Sequence, residues 1–270
     1  MGENVTQRDI EIALRALGLE EGDICLFHSS LKSFGYVEGG AETVIRAMES
    51  VIGPEGTLVA PTLCQVDFFN SYKTWHLDKS SDVGYLTEYF RKLPGAYRSD
   101  QATHSVAARG KEARELTWEH SLRGPHITPF GEYAFSDGSP WVKLCEKNGK
   151  VLFLGVSMLY FTLKHLVESR YVEWVLDQIV DPERKERALA GIKTFDRESG
   201  AWPYYNSVRM QDKLEEAGLL RRTVCGKATL LCVDAKKACD FSLRQLQTCP
   251  DDWVREPART WLREALENDR

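Results

Sequence analysis

Short apolar runs alternate with amphipathic stretches along most of the chain. The clearest run is 151–154, four apolar residues between Gly149 and Gly155, a pattern typical of a strand buried on both faces. The first third follows the order helix, strand, helix, strand, with strands predicted at 23–28 and 57–60. Because this order favours parallel strands joined by helices, we predict an α/β protein with a largely parallel or mixed central sheet flanked by helices.

Capping residues indicate where several helices begin. Thr6 with Asp9 three positions later predicts the start of the first helix, and Ser139 followed by Pro140 predicts another. A strand is predicted at 103–110, two short strands around Gly226, and a strand-like segment at 192–196. Further helices are predicted at 41–51, 85–91, 111–120, 162–178, 207–217, 235–247 and 257–267, and the charged segment 181–190 is predicted to be a solvated helix or a connector.

The segment 151–168 is the most informative for chemistry. After the buried strand and the turn at Gly155, a predicted helix carries Thr162, His165 and Glu168, each three positions from the next. On a helix these side chains share one stripe, and a helix that follows a strand places them at the carboxyl edge of the sheet. The stripe therefore indicates a histidine base with a carboxylate partner. The spacing equally fits a half-buried histidine that is hydrogen-bonded to a neighbour.

A second informative loop, 29–35, follows the first predicted strand. Its hydroxyls, backbone N–H groups and lysine suit a phosphate or pyrophosphate, although the GxxxxGK[ST] pattern is absent. A plain polar loop is the alternative. The candidate phosphate-binding residues are Ser29, Ser30, Leu31, Lys32, Ser33 and Gly35.

Two long irregular stretches, 63–82 and 120–138, lie between the predicted elements. Loops of this length are commonly functional or mobile. In the first stretch, aromatic residues stand among the carboxylates of Asp67, Asp78 and Asp82. Such a surface suits a cationic polyol, and it equally suits a local hydrophobic patch.

Composition narrows the class of protein. With 270 residues and a net charge of -5, we expect a single domain that does not bind nucleic acid. No apolar run reaches the roughly 20 residues that span a membrane, and the N-terminal stretch lacks the apolar core of a signal peptide. The seven cysteines form no CxxC pair and the six histidines show no zinc spacing. We therefore expect a cytoplasmic protein with free thiols and no metal.

Three blocks of sequence carry a family resemblance. The first runs from HSSLKSFG at 28–35 to GPEGTLVAPT at 53–62, the second contains HSVAA at 104–108, and the third extends from 138 to 168. Their order and spacing resemble those of the aminoglycoside 3-N-acetyltransferases, the antibiotic N-acetyltransferase family. The resemblance covers about residues 24–170.

The resemblance implies an acetyltransferase fold and an acetyl-CoA-dependent transfer to an amine of a 2-deoxystreptamine antibiotic, which confers resistance. It implies that His165 is the general base, that 30–35 is the CoA-binding loop, and that Ser105 and Val106 lie beside the pantetheine. Supporting carboxylates would be Glu168, Asp196 or Glu198, with Thr162 as donor to the thioester oxygen. Candidate ammonium partners are Asp67 and Asp78 within 63–82, Asp137 within 120–138 and Glu119 just before that second stretch.

The sequence departs from the family pattern in places that concern the acceptor. Gln101 and Ala102 stand where similar sequences often have His-Pro, and Phe161 stands where they often have Asn. One alternative function is therefore transfer to another amine in natural-product biosynthesis. A second is non-catalytic CoA binding. The expected partners are acetyl-CoA and a cationic aminoglycoside, in a monomer or homodimer.

Overall fold

Seven strands form one mixed sheet in the computed structural model of the protein, which describes residues 4–66, 70, 73–193 and 201–266. Their spatial order is β3-β4-β2-β1-β5-β7-β6. The strands are β1 Ile24–Ser29, β2 Thr57–Pro61, β3 Tyr97–Arg98, β4 Val106–Gly110, β5 Lys150–Leu154, β6 Leu220–Cys225 and β7 Ala228–Asp234. The predicted α/β class with a mixed sheet is confirmed.

Only the centre of the sheet is parallel. Strand β1 pairs in parallel with β2 on one side and with β5 on the other, whereas the outer pairs are antiparallel. Pro61 at the end of β2 pairs with Val106 at the start of β4. The carboxyl ends of β1, β2 and β5 therefore meet the amino end of β4 at one edge of the sheet, here called the upper edge.

Helices cover both faces of the sheet. They are α1 Gln7–Ala16, α2 Gly40–Ile52, α3 Tyr85–Arg91, α4 Ala113–Thr117, α5 Pro140–Glu146, α6 Lys164–Gln178, α7 Pro182–Lys193, α8 Ser207–Glu216, α9 Ala235–Thr248, α10 Pro250–Trp253 and α11 Ala258–Leu266. Two predicted caps form: Thr6 and Asp9 make a reciprocal capping box, and the Ser139 side chain accepts from the Val142 N–H.

The central strands alternate between two apolar layers. Leu26 and Phe153 pack into the layer that holds α5, α6 and α9, whereas Phe27 and Leu152 pack into the layer of α1, α2 and α3. Every residue of 151–154 is buried, which confirms a strand covered on both faces. The layer with α6 is the one that carries the site.

Three predicted boundaries are wrong. Ile192 belongs to helix α7 and not to a strand, because its buried side chain lies with Ala188 on the face that packs against Trp261. Residues 103–105 precede β4, and α4 ends at Thr117 before a turn in which Glu119 takes a φ of 62°. The rest of the predicted 192–196 segment lies outside the described residues.

Candidate active site

A histidine and a carboxylate form a buried pair at the start of helix α6. His165 is the second residue of the helix, and Glu168 follows on the same side. His165 Nδ1 lies 2.7 Å from Glu168 Oε2, and the Trp202 indole N–H donates to the same oxygen over 3.1 Å. Glu168 is fully buried, so a buried carboxylate with two donors orients the imidazole.

Aromatic rings enclose His165. The Phe130 ring centroid lies 4.5 Å from that of the imidazole, and His104 and Tyr204 approach it edge-on at 6.0 Å. The His165 side chain keeps 16 % of its surface exposed. The ring is therefore fixed in orientation by its surroundings while part of it remains accessible.

Gln101 shapes the turn that delivers His104. Its Oε1 accepts from the Thr103 N–H over 2.9 Å and from the His104 N–H. The side chain thus caps the turn before β4 as an Asn or Asp cap would. Gln101, one of the departures from the family pattern, holds His104 against the His165 ring.

Thr162 lies in the turn before α6 and not within the helix. The helix begins at Lys164, so the predicted three-residue stripe is helical only from His165 onward. Thr162 is nearly buried, and its hydroxyl makes a long 3.5 Å contact with the Tyr160 carbonyl. A long hydrogen bond costs little to exchange for a better acceptor.

The 29–35 loop lies at the upper edge beside the end of β5. The Ser30 N–H donates to the Leu154 carbonyl over 2.9 Å, and the Ser33 hydroxyl donates to that of Ser30 over 2.9 Å. Gly155 has a φ of 72°, and a Cβ there would come within 2.5 Å of the Ser33 Cβ. The glycine therefore allows the loop to pack against the chain that leads to His165.

A second lysine, Lys227 in the turn between β6 and β7, packs against the same loop. The Lys227 N–H donates to the Phe34 carbonyl over 3.1 Å, and its side chain runs along Gly35. A cavity of about 320 Å³ lies beside it and is lined by Ser33, Ser157, Gln211, Arg222, Lys227 and Thr229 among others. The hydroxyls and Lys227 suit an anion, whereas Arg222 is already paired with Glu215. Lys32 is exposed on the short helical turn Leu31–Phe34.

Ser105 and Val106 are fully buried at the upper edge. The Ser105 hydroxyl donates to the Thr62 carbonyl over 3.0 Å and accepts from Arg98 Nε over 3.2 Å. Arg98 also donates to the carbonyls of Leu77 and Lys79, so it ties the 63–82 stretch to the start of β4. The predicted contact of Ser105 and Val106 with pantetheine stays a prediction.

The predicted acidic residues are dispersed. Asp67, Asp196 and Glu198 lie outside the described residues. Asp78 is exposed and Glu119 is half-buried, and each lies on a turn. Among the described residues, no hydrogen bond or ion pair joins either of them to the His165–Glu168 pair. Asp137 is exposed and lies 2.9 Å from His126 Nε2. Among the described residues, Glu168 is a carboxylate that lies against His165.

The described ranges contain neither a candidate membrane span nor a candidate metal centre. No helix in them is both long and apolar enough to cross a membrane. No group of three or more His, Cys, Asp or Glu side chains in them is arranged to hold a metal ion.

Comparisons with known proteins identify the family. The pattern of the aminoglycoside 3-N-acetyltransferase family matches residues 26–247. The chain is 31 % identical over 279 residues to aminoglycoside N(3)-acetyltransferase VII of Streptomyces paromomycinus, covering 90 % of this chain and 92 % of the relative. The chain belongs to the aminoglycoside 3-N-acetyltransferase family. Because the relatives of this family are transferases, the predicted enzyme class is confirmed.

Solved structures of aminoglycoside acetyltransferases share the fold. AAC(3)-Xa superposes with a TM-score of 0.70 at 25 % identity, covering 90 % of this chain and 93 % of that one. A structure of AAC-IIIb with CoASH superposes with a TM-score of 0.69 at 21 % identity, covering 91 % and 97 %. The predicted family fold is confirmed.

Several side chains around the pair in this acetyltransferase have no signal in the sequence. Trp202 stands 34 positions from Glu168 in an irregular stretch, and Phe130 and Tyr204 are aromatic residues among many others. Lys227 follows a glycine in a tight β-turn, where a lysine is commonplace. Of the side chains around the pair, His104 does have a signal in the sequence, because it lies in the second block of the family resemblance.

Proposed function

We propose that the protein transfers the acetyl group of acetyl-CoA directly to the 3-amino group of a 2-deoxystreptamine aminoglycoside, and that this confers antibiotic resistance. The observation that carries the proposal is the buried His165–Glu168 pair at the upper edge, the same edge of the sheet at which the 29–35 loop lies. Family membership supports the reaction class, and the similar structure that binds CoASH supports the cosubstrate.

His165 acts as the general base in this proposal. An alkylammonium cannot attack a thioester, so a group with an ordinary pKa near 6.5 must take its proton. The carboxylate of Glu168 accepts the Nδ1–H, which leaves the lone pair of the neutral imidazole on Nε2. Glu168 then stabilises the imidazolium that forms as the amine loses its proton.

The transfer step has one bond formed and one broken. The amine nitrogen bonds to the acetyl carbon and the carbon–sulfur bond breaks. Of the two protons that the ammonium nitrogen loses, His165 passes one to solvent before attack and the other to the departing CoA thiolate. Negative charge develops on the thioester oxygen during attack. Thr162, whose hydroxyl lies just before the helix that carries His165, is the proposed donor to that oxygen.

The cosubstrate would lie across the 29–35 loop. Ser29, Ser30, Leu31, Lys32, Ser33 and Gly35 are the proposed binding residues, with Lys227 and Arg222 beside them at the neighbouring cavity. Ser105 and Val106 lie at the same edge, closer to His104 and His165. In this proposal the phosphates lie at the loop and the thioester lies at the imidazole.

The acceptor would be held by the stretches 63–82 and 120–138. Polyamines need carboxylates, and Asp67, Asp78, Glu119 and Asp137 are the proposed partners. Phe130 and Tyr204, on the wall around His165, would lie against the sugar rings. The single-domain organisation of 1–270, with these two stretches as the acceptor region, is part of the proposal.

Replacing Lys32 with alanine is expected to raise the KM for acetyl-CoA by about fivefold with kcat nearly unchanged. An exposed lysine–phosphate contact contributes up to about 1 kcal/mol, which corresponds to a change of that size. Steady-state kinetics with varied acetyl-CoA measures the effect. Lys236→Ala, an exposed lysine paired with Asp240 on α9, is the matched control. An unchanged KM in Lys32→Ala would place the phosphates elsewhere.

The function itself is tested by following CoA thiol release with a panel of amines. The expected result is fast release with 2-deoxystreptamine aminoglycosides and acetylation at N3 by mass spectrometry and NMR. Expression in a susceptible bacterium is expected to raise the inhibitory concentration of the same compounds. Release with unrelated amines alone would support the alternative acyltransferase, and no release with any amine would contradict the proposal.

A further inference from the structure

His126, in the 120–138 stretch, lies between two carboxylates from different parts of the chain. Its Nδ1 lies 2.8 Å from Glu173 Oε1 on helix α6, and its Nε2 lies 2.9 Å from Asp137 Oδ1. A neutral imidazole has one N–H, so it can donate to only one of these oxygens. Both contacts are hydrogen bonds only when the ring is protonated, and the geometry is therefore that of an imidazolium.

Helix α6 also binds Ile127, the residue after His126, through two hydrogen bonds. The Ile127 N–H donates to Glu173 Oε1 over 3.2 Å, and the Ser169 hydroxyl donates to the Ile127 carbonyl over 2.6 Å. Ser169 and Glu173 are one turn apart on the helix whose first turns carry His165 and Glu168. His126 and Ile127 are thus fixed to the same helix as the catalytic pair.

The other end of the segment 126–130 covers the imidazole of His165. Phe130 is buried, and its ring lies 4.5 Å from that of His165 and 4.7 Å from that of His104. The Phe130 carbonyl accepts from the Thr103 hydroxyl over 2.9 Å. Only a few residues separate the charged contact at His126 from the aromatic contact at His165, so movement at one end is transmitted to the other.

We propose that protonated His126 is a positioning residue for the transfer reaction: it holds the segment 126–130 on helix α6 so that Phe130 packs against His165. The inference rests on the proposed function, because its kinetic consequence is expressed through His165. His126 itself does not touch the reacting atoms in this proposal.

The charges around His126 determine how the contact depends on pH. Its hydrogen bond to Glu173, with a further contribution from Asp137, raises the pKa of His126 to about 9, against the opposing effect of burial. His126 lines a cavity of about 330 Å³. Glu132 lines it too, and α7 contributes the apolar Leu189 and Ile192. A raised pKa means that the contact is intact at neutral pH and is lost as the pH rises through about 9.

Replacing His126 with glutamine is expected to lower kcat about tenfold at pH 7.5, with the KM for acetyl-CoA unchanged. The reason is that Phe130 moves relative to His165, whereas the 29–35 loop, at another part of the edge, keeps its position. Relative to wild type, the loss is expected to shrink above pH 9, where the wild-type ring is neutral. Equal kcat values for both proteins at pH 7.5 would overturn the proposal.

Asp137→Asn separates positioning from a purely structural role. Removal of one carboxylate lowers the pKa of His126, so the alkaline decline of kcat at saturating substrates is expected to move to lower pH. Glu183→Gln, an exposed carboxylate on α7, is the control and is expected to leave the profile unchanged. An alkaline decline at the same pH in Asp137→Asn and wild type would overturn the proposal.

Histidine-selective NMR of the whole protein distinguishes this inference from the proposed function. His126 is expected to titrate near pH 9, and the His165 resonance is expected to shift in His126→Gln because the Phe130 ring moves relative to it. An unchanged His165 resonance would overturn the inference even if the protein transfers acetyl groups. A protein without transferase activity that shows both NMR effects would contradict the proposed function and leave the positioning contact established.

Discussion

Replacing His165 with alanine is expected to lower kcat by at least about 100-fold, the usual contribution of a general base. His165 is the accessible member of a buried pair, and its Nδ1 is held 2.7 Å from Glu168. Without the imidazole, the acceptor must lose its proton to water before it attacks. Raising the pH should restore part of the rate, because a larger fraction of the amine is then neutral.

Steady-state kinetics at pH 7.5 and pH 9 measure this effect. Circular dichroism and calorimetric titration with acetyl-CoA establish that the variant is folded and still binds the cosubstrate. Turnover close to wild type in a protein that passes both checks would remove His165 from the mechanism.

Replacing Glu168 with glutamine is expected to lower kcat by about 10- to 100-fold. The amide can present its NH₂ to Nδ1, which traps the imidazole tautomer with its proton on Nε2 and leaves no base for the amine. The amide also lacks the charge that stabilises the imidazolium. Glu168 is fully buried and receives N–H donors from His165 and Trp202, so solvent does not compensate for the change.

The pH dependence of kcat/KM gives a second readout for Glu168→Gln. Loss of a neighbouring negative charge disfavours protonation of the imidazole, so the acid limb is expected to move to lower pH. Glu183→Gln serves again as the control for a neutralised glutamate. A wild-type rate and an unmoved acid limb would show that another carboxylate supports the base.

Local patterns predicted the elements that position the site. The apolar run 151–154, the glycine after it and the period of the following helix were sufficient to place His165 and Glu168 near the end of a central strand, where the structure has them. Capping residues predicted the starts of α1 and α5. This was possible because a cap and the first turn of its helix are adjacent in sequence.

Contacts between distant residues could not be predicted in this way. Nothing in the order of residues indicates that the Trp202 indole reaches Glu168, or that Phe130 packs against His165. Gln101 appeared only as a departure from a family pattern, and its role as a cap for the His104 turn depends on side-chain geometry. Such contacts arise from tertiary packing, which short-range patterns do not encode.

The most direct test of the account is a single-turnover experiment with acetyl-labelled acetyl-CoA and a 2-deoxystreptamine aminoglycoside. With the protein in excess, we expect the label to pass to the 3-amino group in one phase, with none found on the protein at any quench time. Label held on a protein side chain before it reaches the amine would contradict direct transfer, and label that never leaves CoA would contradict the function itself.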